Sequence, residues 1–306
     1  MAFWRFVRNP WRRTGAALDL GRLHELARRL TDDAWLKLLI ASVKKPVVRG
    51  IAMPRFPDEA VQKGMVGSAG EVSLRAAFRF FREIKIAYRA YGKADLSQSD
   101  VLDFGCGWGR HLRFFLKDVP VERLHGIDVD PRFIEIARHG LSGLHLEVVK
   151  PLPPTSIPDA SFDLVYAYSV FSHLAEDAHQ AWVTEFHRIL RPDGVVVVTT
   201  QRRVFIDFCE SLRRGKRETA WHESLAKSFV DVAGTKQAYD EGKFIYAATG
   251  GGSVRDASFY GEAIVSPGYI RRTWGDRFDI LDFIDDEKRD GQAIIVARKR
   301  TSTQSG

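Results

Sequence analysis

Between residues 101 and 200 the chain alternates short apolar runs with longer stretches that are apolar on one side only. A run starting at Val101, and others at 123–128, 144–149, 162–168 and 194–200, have the length and bounding turn residues of buried strands. The stretch 177–190 has helical spacing and ends at Arg191-Pro192-Asp193-Gly194, which reads as a stop and turn. Strands alternating with helices predict parallel pairing and right-handed crossovers, hence a doubly wound α/β sheet. Upstream, helical pattern runs from about Asp58 to Tyr91 with a break at 66–70, and its later part is amphipathic through Leu74, Ala77, Phe78, Phe81, Ile84 and Tyr88. Residues 1–50 read as helix broken at Pro10, Gly15 and Pro46, followed by an extended linker to Pro57. Downstream, 214–270 reads as a long irregular insertion before two final strands at 277–284 and 291–298, and 301–306 as a disordered polar tail.

The chemistry concentrates where the first strand ends. In VLDFGCGWGR (101–110) an apolar run closes on an acid, and glycines follow at every second position, 105, 107 and 109. Residues without a Cβ let the backbone turn sharply and press against a ligand. The next helix, with Leu112, Phe115 and Leu116 on its apolar side, aims its N-terminus at that loop, which suits a polar or anionic ligand group. About 20 residues on, LHGIDVDP (124–131) reads as a strand closing on Asp128, with Pro131 opening a helix. An acid there is where doubly wound folds hold the ribose hydroxyls of a nucleoside. The loop is GxGxG preceded by Asp103, which departs from the GxGxxG of dinucleotide binders.

These two motifs, with SFDLVYAYSVFSHL (161–174) and HRILRPDGVVVVTT (187–200), resemble the class I S-adenosylmethionine-dependent methyltransferase family over roughly residues 98–201. The tail, in YGEAIVSPGYIRRTW, FDILDFID and QAIIVARK, is similar to C-terminal regions of bacterial members. The resemblance implies a Rossmann-like doubly wound sheet of seven strands, mostly parallel with one antiparallel strand near the C-terminus. It also implies S-adenosyl-L-methionine as cofactor. Gly105, Gly107 and Gly109, with Cys106 between them, would approach the methionyl part. Asp103 would receive its amino group, Asp128 its ribose hydroxyls, Val129 would pack on the adenine, and Ser169 would also touch the cofactor. The acid that often follows the third strand is absent from VVKPLPP (148–154), so adenine would rest on backbone and apolar groups near Lys150 to Leu152.

The acceptor end is less defined. His173, just past the fourth strand, is the candidate base for an oxygen or nitrogen acceptor, or else a histidine that orients a loop. Tyr239, Tyr246, the glycines 250–252, Tyr260, Glu262 and Tyr269 give the insertion aromatic walls and flexible backbone, which suits a lid or an ordinary hairpin. Met65 to Ser68 suits closure over the cofactor. No Asp/Asn-Pro-Pro-aromatic follows the fourth strand, neither cysteine fits a cytosine-C5 nucleophile, and no metal site is expected. The reading is a methyltransferase acting on a small-molecule or glycan-like acceptor. A nucleic-acid or protein methyltransferase, or a non-catalytic binding module, stands as the alternative.

Composition sets limits. At 306 residues with 45% hydrophobic and 28% charged positions, the chain suits one full domain with additions: an extension and linker over 1–57 and a methyltransferase domain over 58–300. Two cysteines make no disulfide framework, so a reducing cytoplasm is the default, and no apolar run suits a membrane span. Residues 1–50 carry eleven Lys/Arg against four Asp/Glu, the whole net charge of +7. With Phe3, Trp4, Phe6 and Trp11 this opening suits peripheral contact with an anionic membrane. It also suits a helical cap packing Leu23, Leu26, Leu30, Leu36, Leu39 and Ile40 inward. A neutral body gives no reason to expect nucleic-acid binding, and the oligomeric state is not legible.

Overall fold

The computed structural model describes residues 18–252 and 254–301. The expectations for Phe3, Trp4, Phe6 and Trp11 and for most of the tail lie outside that range. The chain opens with α1 (Leu20–Ala27), α2 (Asp32–Lys44) and a two-residue hairpin, β1 (Val47–Val48) with β2 (Ile51–Ala52). Helices α3 (Glu59–Val66) and α4 (Gly70–Tyr91) follow, separated where Gly67 caps α3 at φ 71°. The central series is β3 (Val101–Phe104), α5 (Leu112–Phe115), β4 (Leu124–Asp128), α6 (Pro131–Gly140), β5 (His145–Val148), β6 (Phe162–Ala167), α7 (Glu176–Ile189) and β7 (Leu190–Thr200). The remainder is α8 (Phe205–Arg214), α9 (Ala220–Lys227), α10 (Val232–Asp240), β8 (Ile245–Ala247), β9 (Glu262–Ile264), α11 (Pro267–Trp274), β10 (Phe278–Ile284) and β11 (Ala293–Lys299).

Seven strands form one sheet in the order β10-β11-β7-β6-β3-β4-β5. The pairs from β7 to β5 are parallel, while β11 runs antiparallel to both its neighbours. This is the expected sheet. From β3 the chain winds outward through β4 and β5, then returns to place β6 and β7 on the other flank of β3. The order therefore reverses between β3 and β6, and such folds bind ligands at the carboxyl ends of the strands beside that reversal.

Continuous apolar runs make β3, β6 and β7 buried on both faces, as parallel strands require. One face packs Phe78, Phe80 and Phe81 of α4 and Phe114 and Phe115 of α5 against Val101, Tyr166 and Val197. The other packs Trp182 and Phe186 of α7 and Trp274 of α11 against Phe104, Val165 and Val198. Helices α1 and α2 share the first core: Leu23, Trp35 and Leu39 are buried, and Trp35 Nε1 donates to Arg113 O at 3.1 Å. Arg113 is wholly buried, donates from Nη2 to Arg55 O at 2.6 Å and stacks on Phe56 and Trp108, so it pins the linker to the sheet.

Three local readings need correction. Leu26 is 38% exposed, because α1 is short and turns that position outward. Residues 191–194 do not end a helix in a free turn. β7 begins at Leu190 and absorbs them as an irregularity, with Phe162 opposite Leu190, Leu164 opposite Val195, and Asp193 at φ 62°. The stretch 214–270 is not irregular: it holds α9, α10 and the hairpin of β8 with β9. Helices of eight or nine residues and strands of three are too short to impose a visible period.

Candidate functional site

The strands β3, β4 and β6 are parallel neighbours, so their carboxyl ends share one edge of the sheet, where the glycine loop follows β3. Gly105, Gly107 and Gly109 all have positive φ (73°, 54° and 79°), a conformation other residues adopt at a cost. A Cβ at these positions would overlap Val170, Met65 and Leu141 respectively. Met65 of α3 thus lies over the loop, held there by Gln62, which donates to Pro57 O at 2.8 Å and accepts from Gly70 N at 3.0 Å. Cys106 is committed to the loop itself. Its N–H donates to Ile127 O at 3.0 Å, its Sγ faces Gly126, and burial pushes its thiol well up.

Two acids flank the loop. Asp128 ends β4, 7% exposed, and each of its oxygens accepts a backbone N–H at 2.9 Å, Oδ2 from Gly107 and Oδ1 from Asp130. Burial raises its carboxyl, against the pull of those two donors. A carboxylate has about four lone-pair positions, so acceptor capacity remains for a diol. Asp103 on β3 is 1% exposed, and its Oδ2 is buried with no hydrogen-bond partner. Burial pushes this carboxyl well above the usual range, with Asp128 adding to the effect and Tyr166 and Arg110 tempering it. The Tyr166 hydroxyl, close enough to temper it, makes no well-formed hydrogen bond and is itself buried. Val129 follows Asp128 half-buried.

Beyond β6 the chain strains and turns. Ser169 sits at φ 57°, its N–H donating to Thr199 Oγ1 at 2.7 Å and its Oγ accepting from Gln292 Nε2 at 3.0 Å. Non-glycine residues in this region persist only where the surroundings hold them, and they cluster at functional sites. His173 lies one turn on. Its Nδ1 is 2.7 Å from Gly261 O, and a carbonyl only accepts, so Nδ1 carries the proton and Nε2 keeps its lone pair. Nε2 is 3.4 Å from Ser169 Oγ. The imidazole stacks on Tyr260 at 4.8 Å and 10° between planes. Glu262 Oε1 is 3.6 Å from Nδ1 and accepts from Trp221 Nε1 at 2.7 Å; burial raises the Glu262 carboxyl.

The hairpin segment therefore reaches this edge. Gly261 N donates to His173 O and Ala263 N to Ser172 O, at 2.7 and 2.8 Å. A Cβ at Gly261 would overlap Ala247 O across the hairpin. Farther along its loop, Arg255 stacks on Tyr260 at 5.6 Å and on Phe133 of α6 at 5.8 Å. The loop between β8 and β9 thus touches both His173 and α6.

Three residues without an expected role also face this region. Arg110 is 6% exposed and lies 5.2 Å over the Tyr168 ring. Asp290, between β10 and β11, is 1% exposed with Oδ2 unpartnered, and Tyr168 donates to its Oδ1 at 3.4 Å. Arg255 is the third. Arg110 was visible as a charge inside the glycine motif; Asp290 and Arg255 carry no local signal, because only the folded hairpins bring them here. Among the described residues no group of three or more His, Cys, Asp or Glu is placed to hold a metal ion.

Residues 101–194 match the model of the methyltransferase domain family. Over this segment the chain is similar to the class I S-adenosylmethionine-dependent methyltransferases. It is 34% identical over 122 residues to a probable S-adenosylmethionine-dependent methyltransferase of Mycolicibacterium smegmatis, covering 39% of this chain and 42% of that one. It is 31% identical over 102 residues to a malonyl-[acyl-carrier protein] O-methyltransferase of Hahella chejuensis, covering 33% and 36%. The match thus spans about two fifths or less of these relatives' lengths. A putative S-adenosylmethionine-dependent methyltransferase of Listeria monocytogenes shares the fold, with a TM-score of 0.50 at 15% identity over 74% of this chain and 99% of that one. This edge of the methyltransferase domain fits the cofactor. Asp103 Oδ2, an acceptor buried without a donor, matches an ammonium group, and Asp128 matches a diol.

Proposed function

We propose that the protein transfers a methyl group from S-adenosylmethionine to an oxygen or nitrogen of a small-molecule or glycan-like acceptor, with His173 as the acceptor's base. The observation that carries this is the fixed tautomer of His173: the Nδ1 proton is held by Gly261 O, which leaves Nε2 basic at the carboxyl end of β6. The cofactor supplies a methyl already activated by its sulfonium. The protein's part is to bind, align, exclude water and accept a proton. Asp103 would hold the ammonium, Asp128 the ribose, Gly105, Gly107 and Gly109 the methionyl backbone, with Val129 and Ser169 in contact beside them.

His173 would accept the acceptor's proton at Nε2 as the new bond to the methyl forms. Glu262 Oε1 lies 3.6 Å from Nδ1, on the ring edge away from Nε2. Tyr260 keeps the ring in its plane by stacking. The segment 214–270 would supply the acceptor wall within a functional unit of 58–300, and Met65 would cover the cofactor. The malonyl-[acyl-carrier protein] O-methyltransferase of Hahella chejuensis methylates oxygen by its name, which agrees with an oxygen acceptor here. Two buried cysteines with no disulfide, Cys106 and Cys209, suit a cytoplasmic protein. Among the described residues no helix is long and apolar enough to cross a membrane.

The test is transfer of an isotope-labelled methyl from S-adenosylmethionine into a panel of hydroxyl and amine acceptors. His173→Gln should lower turnover by roughly two to four powers of ten while leaving S-adenosylhomocysteine affinity unchanged. Normal turnover with an unchanged pH profile in that variant removes His173 from the mechanism.

A further inference from the structure

The outer face of α8 and α9 carries an apolar surface that the fold does not explain. Val204, Phe208 and Trp221 are 53%, 39% and 44% exposed. Val204 and Phe208 lie one turn apart, with Phe208 N donating to Val204 O at 3.1 Å. The Phe208 ring is 6.3 Å from Trp221 of α9, and Phe205 backs both rings at 5.9 and 6.4 Å. A single exposed apolar side chain is ordinary, whereas a contiguous patch rimmed by polar residues marks an interaction site. The orientation of Trp221 sharpens this. Its Nε1 donates inward to the buried Glu262 Oε1 at 2.7 Å, so the indole turns its one polar atom into the protein and leaves hydrocarbon outside.

The rim is basic. In Arg213-Arg214-Gly215-Lys216-Arg217, where the chain leaves α8, four of five residues are cationic. The segment turns back on α8: Arg217 donates to Leu212 O and Arg213 O, and it pairs with Glu223, two residues past Trp221. Arg213 donates to the carbonyls of Ala226, Ser228 and Phe229, which satisfies its protons and keeps its charge. Arg214 is exposed and has no ion pair among the described residues, and Lys216 reaches only Glu218, with both side chains largely in solvent.

The polar groups beside the rings are already used. Ser211 Oγ donates to Phe208 O, His222 Nδ1 accepts from Glu218 N, and Thr219 Oγ1 accepts from His222 N. A protein partner needs about one hydrogen bond per 100–200 Å² of interface, and this patch has few groups left to make them. Hydrocarbon bordered by diffuse positive charge instead suits the headgroup boundary of an anionic bilayer, where aromatic rings sink and cations stay among the phosphates.

We infer that the α8–α9 face, centred on Val204, Phe208 and Trp221, seats the protein on an anionic lipid surface. The inference is independent of the role of His173 and of the acceptor. It also differs from attachment through the basic, aromatic residues 1–17, which the same experiment separates.

The full chain is sedimented with vesicles of phosphatidylcholine alone or of equal parts phosphatidylcholine and phosphatidylglycerol. Wild type should bind the anionic vesicles, less so as salt rises, and should leave the neutral ones in solution. Val204→Gln with Phe208→Gln spares Trp221 and its bond to Glu262; it should weaken vesicle binding by about tenfold or more, with Tm and S-adenosylhomocysteine affinity kept. Arg214→Gln with Lys216→Gln should weaken it by roughly fivefold per charge and flatten the salt dependence. Hydrogen exchange on the wild type locates the contact without any variant: anionic vesicles should protect 204–222. If the double glutamine variant does not fold, that protection decides. Wild type that ignores anionic vesicles overturns the inference. So does undiminished binding in the Val204→Gln, Phe208→Gln protein, or protection confined to residues 1–17, either of which assigns the contact elsewhere. A wild-type dimer that the same variant converts to monomer also overturns it, because the face would then belong to a second copy of the chain.

Discussion

Asp128→Asn separates two duties of one carboxylate. In the folded protein Oδ2 accepts from Gly107 N and Oδ1 from Asp130 N, both at 2.9 Å and almost wholly buried. An amide offers one acceptor oxygen, so its NH2 must face one of these two N–H groups. That donor loses its partner in a place water hardly reaches. Losing a bond to a charged acceptor, or leaving a buried donor unpaired, costs about 1.5–3 kcal/mol. Because both donors belong to the chain, this cost falls on the ligand-free protein. For a chain of this size 1 kcal/mol corresponds to roughly 2–4 °C, so Tm should fall by about 3–12 °C. Affinity should fall as well, because the Gly107 turn loosens and the ribose meets a weaker acceptor. A further 1.4–2.8 kcal/mol there would raise the S-adenosylhomocysteine Kd by about 10- to 100-fold. Asp193→Ala is the control. Asp193 also has positive φ, but it lies in the β7 irregularity and faces exposed Lys93 at 3.5 Å, so its loss should leave Kd unchanged. Thermal unfolding without ligand and calorimetric titration measure the two parts. An Asp128→Asn protein with wild-type Tm and wild-type Kd would refute both the bonding argument and the ribose assignment.

Trp35→Ala should cost about 3–5 kcal/mol by emptying a fully buried site between α2 and the sheet, with S-adenosylhomocysteine affinity unchanged once folded; denaturant unfolding would show it, and a loss under 1 kcal/mol would mean that α2 is a loose cap. Stability should also fall in mild acid. His179 is fully buried, its Nε2 accepting from Trp274 Nε1 at 3.0 Å, and burial pushes its pKa down to about 3. The unfolded chain therefore binds this proton from about pH 6.5 downward while the folded chain does not until about 3, so the stabilisation is whole above pH 6.5 and is lost as pH falls through that window. The slope is about 1.4 kcal/mol per pH unit for one such proton. His125, lowered to about 4 by burial and by the stacked His145, adds in the same direction, whereas buried acids with raised pKa, such as Asp290, oppose it. Unfolding free energies from pH 4 to 7 should show a smaller slope in His179→Gln than in wild type, and equal slopes would refute the assignment.

The sheet was legible because each central element announces itself over a few consecutive residues. Val195 to Val198 can be little other than a strand buried on both faces, and Gly105, Gly107 and Gly109 can hardly follow a strand without bending the chain there. The positions of the two acids were legible for the same reason, since Asp103 stands one residue before the end of β3 and Asp128 ends β4. What the sequence does not display is partnership across distance. His173 and Gly261 are 88 positions apart, Ser169 and Gln292 are 123 apart, and Tyr168 meets Asp290 across 122. No local period encodes those meetings; they follow from where two hairpins land on the carboxyl edge of the sheet. The same limit hid the helices of 214–270, which are too short to show a period and are held by contacts such as Trp221 with Glu262 and Arg203 with Asp240.

That division has a physical consequence for where specificity resides. In the function proposed, the main cofactor groups, the glycine loop with Asp103 and Asp128, would come from one strand-loop-helix unit and its neighbour, so their geometry is set mostly locally. The acceptor end would be assembled from three separate pieces: the 168–175 loop, the β8–β9 hairpin and the loop between β10 and β11. The 168–175 loop is held to the hairpin by Ala175 N to Phe259 O, Gly261 N to His173 O, Ala263 N to Ser172 O and His173 Nδ1 to Gly261 O, and to the β10–β11 loop by Gln292 Nε2 to Ser169 Oγ and Tyr168 to Asp290 Oδ1. A change in either hairpin can therefore reshape what faces His173 while Asp103, Asp128 and the glycine loop stay in place. In the function proposed, acceptor choice and cofactor binding would rest mainly on different covalent segments, with Ser169 and His173 where they meet.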